Sequence, residues 1–178
     1  MESNAVFDRN TVEFVTVAAE YCSFIEDSAA KDRTQFLDVL PKLLSLLYLK
    51  ASMIPEVSPQ GLYLEETVTE QYYDSLRESL SRKLGEFDDY LEVFVEEMKY
   101  SDTPVRKCIS EDLCDIYQAL KNFIDSYRSG LSDVMEESVA VCREGFCTYW
   151  GQTLANTLRA VHSVRFGVDD DDQENELW

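Results

Sequence analysis

The residues most suited to chemistry lie close together in the stretch FCTYWGQTLANTLRAVH, which runs from Phe146 to His162. It contains the only histidine of the chain and one of its five cysteines, Cys147. A thiol beside an imidazole can act as a nucleophile with its general base. Trp150, with Arg159 and His162, could instead form the wall and rim of a ligand pocket. The secondary structure of the stretch decides which of these side chains can meet.

Helical spacing separates this thiol from the imidazole. Apolar residues recur at helical spacing from Ser132 to about Val164, which predicts one long last helix. Cys147 lies fifteen residues before His162 on that helix, which is roughly 22 Å at 1.5 Å per residue, so the two cannot meet. A cysteine from another helix could approach His162, but a buried structural thiol is the simpler interpretation for each of them, Cys22, Cys108 and Cys114.

The same helix predicts a candidate pocket. Trp150 lies on the stripe that faces the core, whereas Arg159 and His162 share a flanking face. With two residues of another helix, the candidate set is Trp150, Arg159, His162, Asp115 and Tyr117. The alternative, which we favour, makes Trp150 a core residue with a hydrogen-bonded indole and His162 a boundary residue near a helix C-terminus, where positive charge is favourable.

Two glycines inside this helix require an explanation. Gly145 and Gly151 each destabilise a helix by roughly 1 kcal/mol relative to alanine. Close approach of a neighbouring backbone is the expected reason. A ligand pressed against the bare backbone is the functional alternative.

Several kinds of site are excluded by the residues present. A single histidine rules out HExxH zinc sites and multi-histidine clusters, and no ExxH motif of the di-iron type occurs. No GxGxxG or GxxxxGK[ST] motif is present, so nucleotide binding is unsupported. The acid run from Asp169 to Asp172 lacks the alternating pattern of a calcium loop. We therefore predict no metal and no cofactor.

The charge balance limits the partners. The chain has 35 acidic and 16 basic residues and a formal net charge of −19. Repulsion from phosphates argues against nucleic acid and anionic membranes, and a basic protein is the expected partner. Acidity that merely keeps the protein soluble is the alternative. The odd number of cysteines without a CxxC pair indicates reduced thiols.

The first ten residues and the most apolar run lead us to predict a cytoplasmic protein. The first ten residues do not resemble a signal peptide. The most apolar run, from Phe36, contains Asp38, Lys42, Lys50 and Pro41, which is too polar for a membrane-spanning helix.

Apolar periodicity predicts an all-α protein, a single-domain bundle of about five to six helices. Asn10 and Glu13 suggest a capping box before the first helix. The second is apolar almost all round, so we place it at the centre, with Pro41 kinking or splitting it. Residues 55–61 form a loop. The domain spans 1–167, and the acidic residues 168–178 form a tail that we expect to be disordered.

The later elements follow from local signals. Thr67 and Glu70 predict a capping box for a third helix that stops at Gly85. Residues 86–101 favour a short helix, although 93–95 could be extended. Pro104, after Thr103, predicts the start of a helix that runs to Gly130. The long last helix follows.

Four stretches carry a resemblance to a known family: VTVAAEYCSFIE, LLYLKA, LCDIYQALKNF and the stretch quoted first. They resemble a family of small bacterial proteins that contain a domain of unknown function and are typical of Bacteroides-like bacteria. The resemblance covers most of the chain. It implies an all-helical single domain and supplies no activity, substrate or catalytic residue.

Two classes of function follow. The first is a non-enzymatic cytoplasmic interaction or adaptor protein with an acidic surface. The alternative is a small-molecule-binding or catalytic helical module with its pocket near Trp150, Arg159 and His162. The sequence does not decide whether the chain is an enzyme, and it favours the first class because no catalytic constellation is visible.

Overall fold

A computed structural model describes residues 5–92 and 103–167. Within these ranges the chain forms six α-helices and a two-stranded sheet, which confirms the predicted all-α bundle. The predicted tail, 168–178, lies outside the described residues. The helices are α1 (Arg9–Glu26), α2 (Arg33–Ser52), α3 (Glu70–Leu84), α4 (Ile109–Tyr127), α5 (Ser132–Gly145) and α6 (Gly151–Phe166); the strands are β1 (Asp89–Glu92) and β2 (Val105–Cys108).

The first three helices begin and end at recognisable caps. Asp8, not Asn10, caps α1, because its carboxylate accepts the Asn10 amide at 2.9 Å. Asp32 and Gln35 form a capping box at α2. Pro41 lies inside α2 and does not split it. The third cap falls two residues after the prediction, at Thr69.

Residues 85–92 correct the prediction of a short helix. Gly85, with φ of 60°, ends α3, and a 3-10 turn (Gly85–Phe87) leads into β1. β1 pairs antiparallel with β2, Asp89 opposite Cys108. Residues 93–101, which include the possible extended segment 93–95, lie outside the described part of the chain.

The predicted start of the fourth helix was also wrong. Residues after Pro104 form β2, and α4 begins only at Ile109. The residue directly before β1 sets this start: the Ile109 amide donates to the Asp88 carbonyl at 2.8 Å, and the Asp88 carboxylate accepts the amide and hydroxyl of Ser110, both at 2.7 Å. Asp88, which directly precedes β1, therefore caps the N-terminus of α4.

The helix at the centre is α4 and not α2. α4 packs against α1, α3, α5 and α6, whereas α2 packs against α1 and α6. One side of α2 is buried, but Leu46 and Leu49 on its other side are 42% and 54% exposed. No helix in the described ranges is long and apolar enough to cross a membrane.

The last helix is confirmed as one long element. α5, a π-helical turn (Phe146–Trp150) and α6 follow one another without a break from Ser132 to Phe166. Its apolar stripe closes the core against α2 and α4. The π turn lies inside the stretch that the sequence singled out.

Candidate functional site

A cavity of about 300 Å³ lies between α4 and α5, next to the π turn. Its walls are mainly apolar, with polar groups at Asn122 and Ser126 and two acids at one side. Its lining residues are Leu64, Glu65, Glu66, Ala119, Asn122, Phe123, Ser126, Val141, Cys142, Gly145, Tyr149 and Trp150. The cavity therefore combines apolar walls with acidic groups.

Trp150 forms an inner wall of the cavity and is fixed on several sides. Its indole Nε1 donates to the Cys142 carbonyl at 3.2 Å, and its ring lies 6.3 Å from that of Phe14 and 5.0 Å from that of Phe146. A Cβ at Gly145 would lie 3.1 Å from the indole Cδ1. Gly145 therefore leaves room for the indole.

Gly151 permits the π turn. Its amide donates to the Phe146 carbonyl, five residues earlier. A Cβ at Gly151 would lie 2.3 Å from that carbonyl oxygen. An alanine would therefore fit at this position only after a shift of the backbone. Both helix glycines are thus explained by close packing within their own helix, and neither requires a ligand.

A loop lines one side of the cavity and is tied at both ends. We call residues 60–67 the strap. At its beginning, Glu137 of α5 accepts the Gln60 amide at 2.6 Å and the Gly61 amide at 3.1 Å. Glu137 is only 3% exposed, and Gly61 has a φ of 79°, which favours glycine. A buried carboxylate therefore holds the strap through its backbone.

The other end of the strap is tied to α4. The Asn122 Oδ1 accepts the amides of Thr67 and Val68 at 2.9 and 3.2 Å. The Thr67 hydroxyl donates to Asp125 at 2.6 Å. Thr67, which the sequence suggested as a helix cap, instead anchors this loop.

The outer surface around the cavity combines exposed apolar groups with carboxylates. Tyr63, on the strap, is 87% exposed, and Tyr149 of the π turn is 54% exposed. Glu65 and Glu66 lie on the same strap and line the cavity. We call these four residues the rim.

Asp115 holds Tyr149 in place from behind. Its two carboxylate oxygens accept the hydroxyls of Tyr73 and Tyr149, each at 2.6 Å. Burial, with the hydrogen bond to Asp115, raises the pKa of both tyrosines above the ordinary value of 10. Both phenols stay protonated as donors at neutral pH, so Asp115 positions Tyr149, one of the rim residues.

The five residues of the predicted pocket do not share one cavity. Trp150 lines the cavity, whereas Asp115 does not line it and accepts a hydrogen bond from the lining residue Tyr149. Tyr117 is buried and donates to Glu26 at 2.7 Å, Arg159 donates to the Leu91 carbonyl of β1 at 2.8 Å, and His162 is exposed beside Phe166. A ligand-binding role for this set stays a prediction.

A second polar cluster ties the sheet to the bundle. Asp112 of α4 is 3% exposed, and its Oδ2 accepts the Tyr90 hydroxyl at 2.5 Å and the Thr157 hydroxyl at 3.1 Å. Burial raises its pKa to about 6. No sequence pattern indicated a role for this carboxylate, because its partners come from β1 and α6.

The polar groups of the described interior are almost all occupied by one another. Apart from the Thr11 hydroxyl, each buried side-chain nitrogen or oxygen in the described ranges has a hydrogen-bond partner. No group of three or more metal-binding side chains is found in the same ranges. The buried carboxylates of Asp88, Asp112 and Glu137 act as structural hydrogen-bond acceptors.

Comparisons with known proteins identify the family of the chain and a similar solved structure. The model of a domain of unknown function, DUF5063, matches residues 5–167, and the chain belongs to that family. The predicted resemblance is confirmed. Among solved structures, the chain is similar to protein BF1032 from Bacteroides fragilis, a structural genomics target, at 44% sequence identity and a TM-score of 0.83, over 93% of this chain and 98% of the other. No curated protein matches the chain.

Proposed function

We propose that the chain is a non-enzymatic interaction protein that binds a basic segment of a partner protein at the strapped cavity. An apolar side chain of that segment enters the cavity, and its flanking cations contact Glu65 and Glu66. The single observation that carries this is the joining of an apolar cavity to an acidic rim on one loop.

The walls and the rim support the two halves of this recognition. Phe123, Val141 and Trp150 offer apolar surface to one anchor side chain, and burying it supplies most of the affinity. Glu65 and Glu66 lie in a chain of net charge −19, so a cationic segment is attracted and acidic competitors are repelled.

Tethering of the strap supports a binding role. Hydrogen bonds that its backbone amides donate to Glu137 and Asn122 hold both of its ends, so the cavity wall exists before a partner arrives. A preformed site loses less conformational entropy on binding. We place this function in the cytoplasm, because the five cysteines are unpaired, as is usual in a reducing compartment.

The second candidate is a small apolar molecule in the same cavity. Its volume of about 300 Å³ is at the lower end of the range for small-ligand pockets. This alternative needs the apolar walls and not the acids of the rim, which separates the two candidates experimentally.

The test uses a panel of fluorescent peptides rich in Lys and Arg, with and without one central Leu or Trp. Binding is followed by anisotropy at low and high salt. We expect the anchored basic peptides to bind, and the double variant Glu65→Lys, Glu66→Lys to weaken them about tenfold or more. The matched control, Glu20→Lys with Glu86→Lys, makes the same change in net charge at two other exposed sites and should have a much smaller effect.

The apolar half is tested with a matched pair of valines. Val141 lines the cavity and is 44% exposed, whereas Val12 on α1 is 46% exposed. Val141→Ser should weaken the anchored peptides and Val12→Ser should not. Binding that is indifferent to salt and to the two lysine substitutions, but lost in Val141→Ser, would support the small-molecule alternative instead.

A further inference from the structure

An exposed apolar stripe on α2 is not used by the cavity. Val39, Leu46 and Leu49 on α2, and Met53 directly after it, are 42%, 42%, 54% and 43% exposed. With Lys42 they succeed one another at intervals of three, four, three and four residues. We call these five residues the seam. None of them lines the cavity.

The spacing of the seam is that of a helix that packs along another helix. Apolar residues that alternate at three and four residues form the contact line of a coiled coil, where each side chain fits between those of the facing helix. Such a line fits another line of the same spacing. A second copy of this chain supplies one, and two-fold symmetry lets the same face serve on both copies.

The charge of this face is compatible with a second copy. A chain of net charge −19 repels its own copies, and this repulsion is smallest where the contacting surface carries no acid. The seam contains no acid and one cation, Lys42. The acid of α2, Asp38, is paired with Arg165 at 2.5 Å. The seam is therefore a face where two acidic molecules meet with little repulsion.

We propose that the protein forms a homodimer through the seam, with the two α2 helices antiparallel. In this direction Leu46 of one copy packs on Leu49 of the other, and the stem of Lys42 covers Met53. A parallel pair in register would stack Lys42 on Lys42, which is repulsive. One helix pair buries little area, so the dimer dissociates in the micromolar range.

Sedimentation equilibrium of the full chain, from about 1 to several hundred micromolar, tests the dimer. The wild type is expected to move from monomer to dimer. Leu46→Glu with Leu49→Glu is expected to stay monomeric with an unchanged circular dichroism spectrum. Val12→Glu with Leu131→Glu adds the same charge at exposed apolar sites on other parts of the fold and is expected to dimerise like the wild type.

A gain-of-function variant completes the test. Lys42→Leu makes the seam continuous and is expected to lower the dissociation constant about tenfold or more. A wild type that remains monomeric at every concentration overturns the proposal. So does a dimer that survives both glutamates. Peptide binding at the cavity is measured separately, so failure of the dimer is distinguishable from failure of the proposed function.

Discussion

The carboxylate of Glu137 lies 2.6 Å from the backbone nitrogen of Gln60 and holds a surface loop from inside α5. Seventy-seven residues separate the two along the chain. A charged acceptor that takes two backbone amides forms stronger hydrogen bonds than a neutral one. This contact makes one wall of the cavity depend on a single buried side chain.

Glu137→Gln should loosen the strap. A glutamine presents an N–H₂ group to one of the two amides, so one backbone amide of the strap loses its hydrogen bond to a charged acceptor, at about 1.5–3 kcal/mol. We expect amide exchange at Gln60 and Gly61 to accelerate roughly tenfold or more, measured by hydrogen exchange with mass spectrometry. The neighbouring Glu136→Gln is the control, and equal protection in both variants would contradict the assigned role.

Gly151→Ala should destabilise the protein, although alanine normally stabilises a helix by about 1 kcal/mol over glycine. The added Cβ would meet the Phe146 carbonyl at 2.3 Å. Relieving that overlap shifts the backbone, and we expect a net loss of about 2 kcal/mol in urea unfolding. Gln152→Ala, at the next and exposed position, serves as control; a more stable Gly151→Ala would show that the π turn is not required.

Asp112→Asn should remove a pH dependence of stability. Burial raises the pKa of Asp112 to about 6, so the folded protein holds this proton more tightly than the unfolded chain. Protonated Asp112 therefore contributes stability that is complete below about pH 4 and is lost as the pH rises through about 6, by up to roughly 3 kcal/mol. Asparagine keeps one oxygen for Tyr90 and Thr157, which both donate to Oδ2.

The measurement compares urea unfolding of wild type and variant between pH 4 and pH 7. The variant should become more stable relative to the wild type as the pH rises. Asp74→Asn, at an exposed carboxylate of α3, reports the effect of removing an ordinary surface charge. A difference between wild type and Asp112→Asn that is constant across this range would contradict the buried-proton interpretation.

His162→Gln should leave stability nearly unchanged. The imidazole is exposed and contacts only the Phe166 ring among the contacts described, at 5.0 Å between centroids. A charged histidine near a helix C-terminus stabilises by about 0.3 to 1 kcal/mol. A melting-temperature comparison with Leu154→Ala, a fully buried site expected to lose about 2–5 kcal/mol, sets the scale. A loss above about 2 kcal/mol would return His162 to the candidate site.

Local signals predicted the helices where neighbours in sequence decide the structure. Gly85 ends α3 because only a residue that tolerates positive φ fits there, and Ser132 begins the last helix as expected. The sheet was missed, because Asp89 pairs with Cys108, nineteen residues away, and no short window contains both. Propensity alone favoured a helix at both places.

The candidate site was predicted only in part for the same reason. Trp150 was recognised because tryptophan is conspicuous and lies on the apolar stripe. Leu64, Glu65 and Glu66 reach the cavity through the tethers at Glu137 and Asn122, which are contacts between distant segments. The seam was visible in the sequence as extra leucines of α2, but its exposure depends on where α1 and α6 pack.

The π turn of the last helix holds one residue more than a regular helical turn. Cys142, Phe146, Trp150 and Leu154 follow at four-residue steps, and each step overshoots a regular helical turn by about 40°. The wider turn absorbs this drift and keeps all four side chains toward the core. A natural relative that lacked one residue between 146 and 150 would form a regular helix there, and its later half would keep nearly the same direction, because the wide turn already accommodates one extra residue. Arg159 would still reach Leu91, and Thr157 would still reach Asp112. A deletion elsewhere in the last helix would rotate its later half by about 100°, so relatives should tolerate the loss of one residue at the π turn and rarely at other positions of this helix.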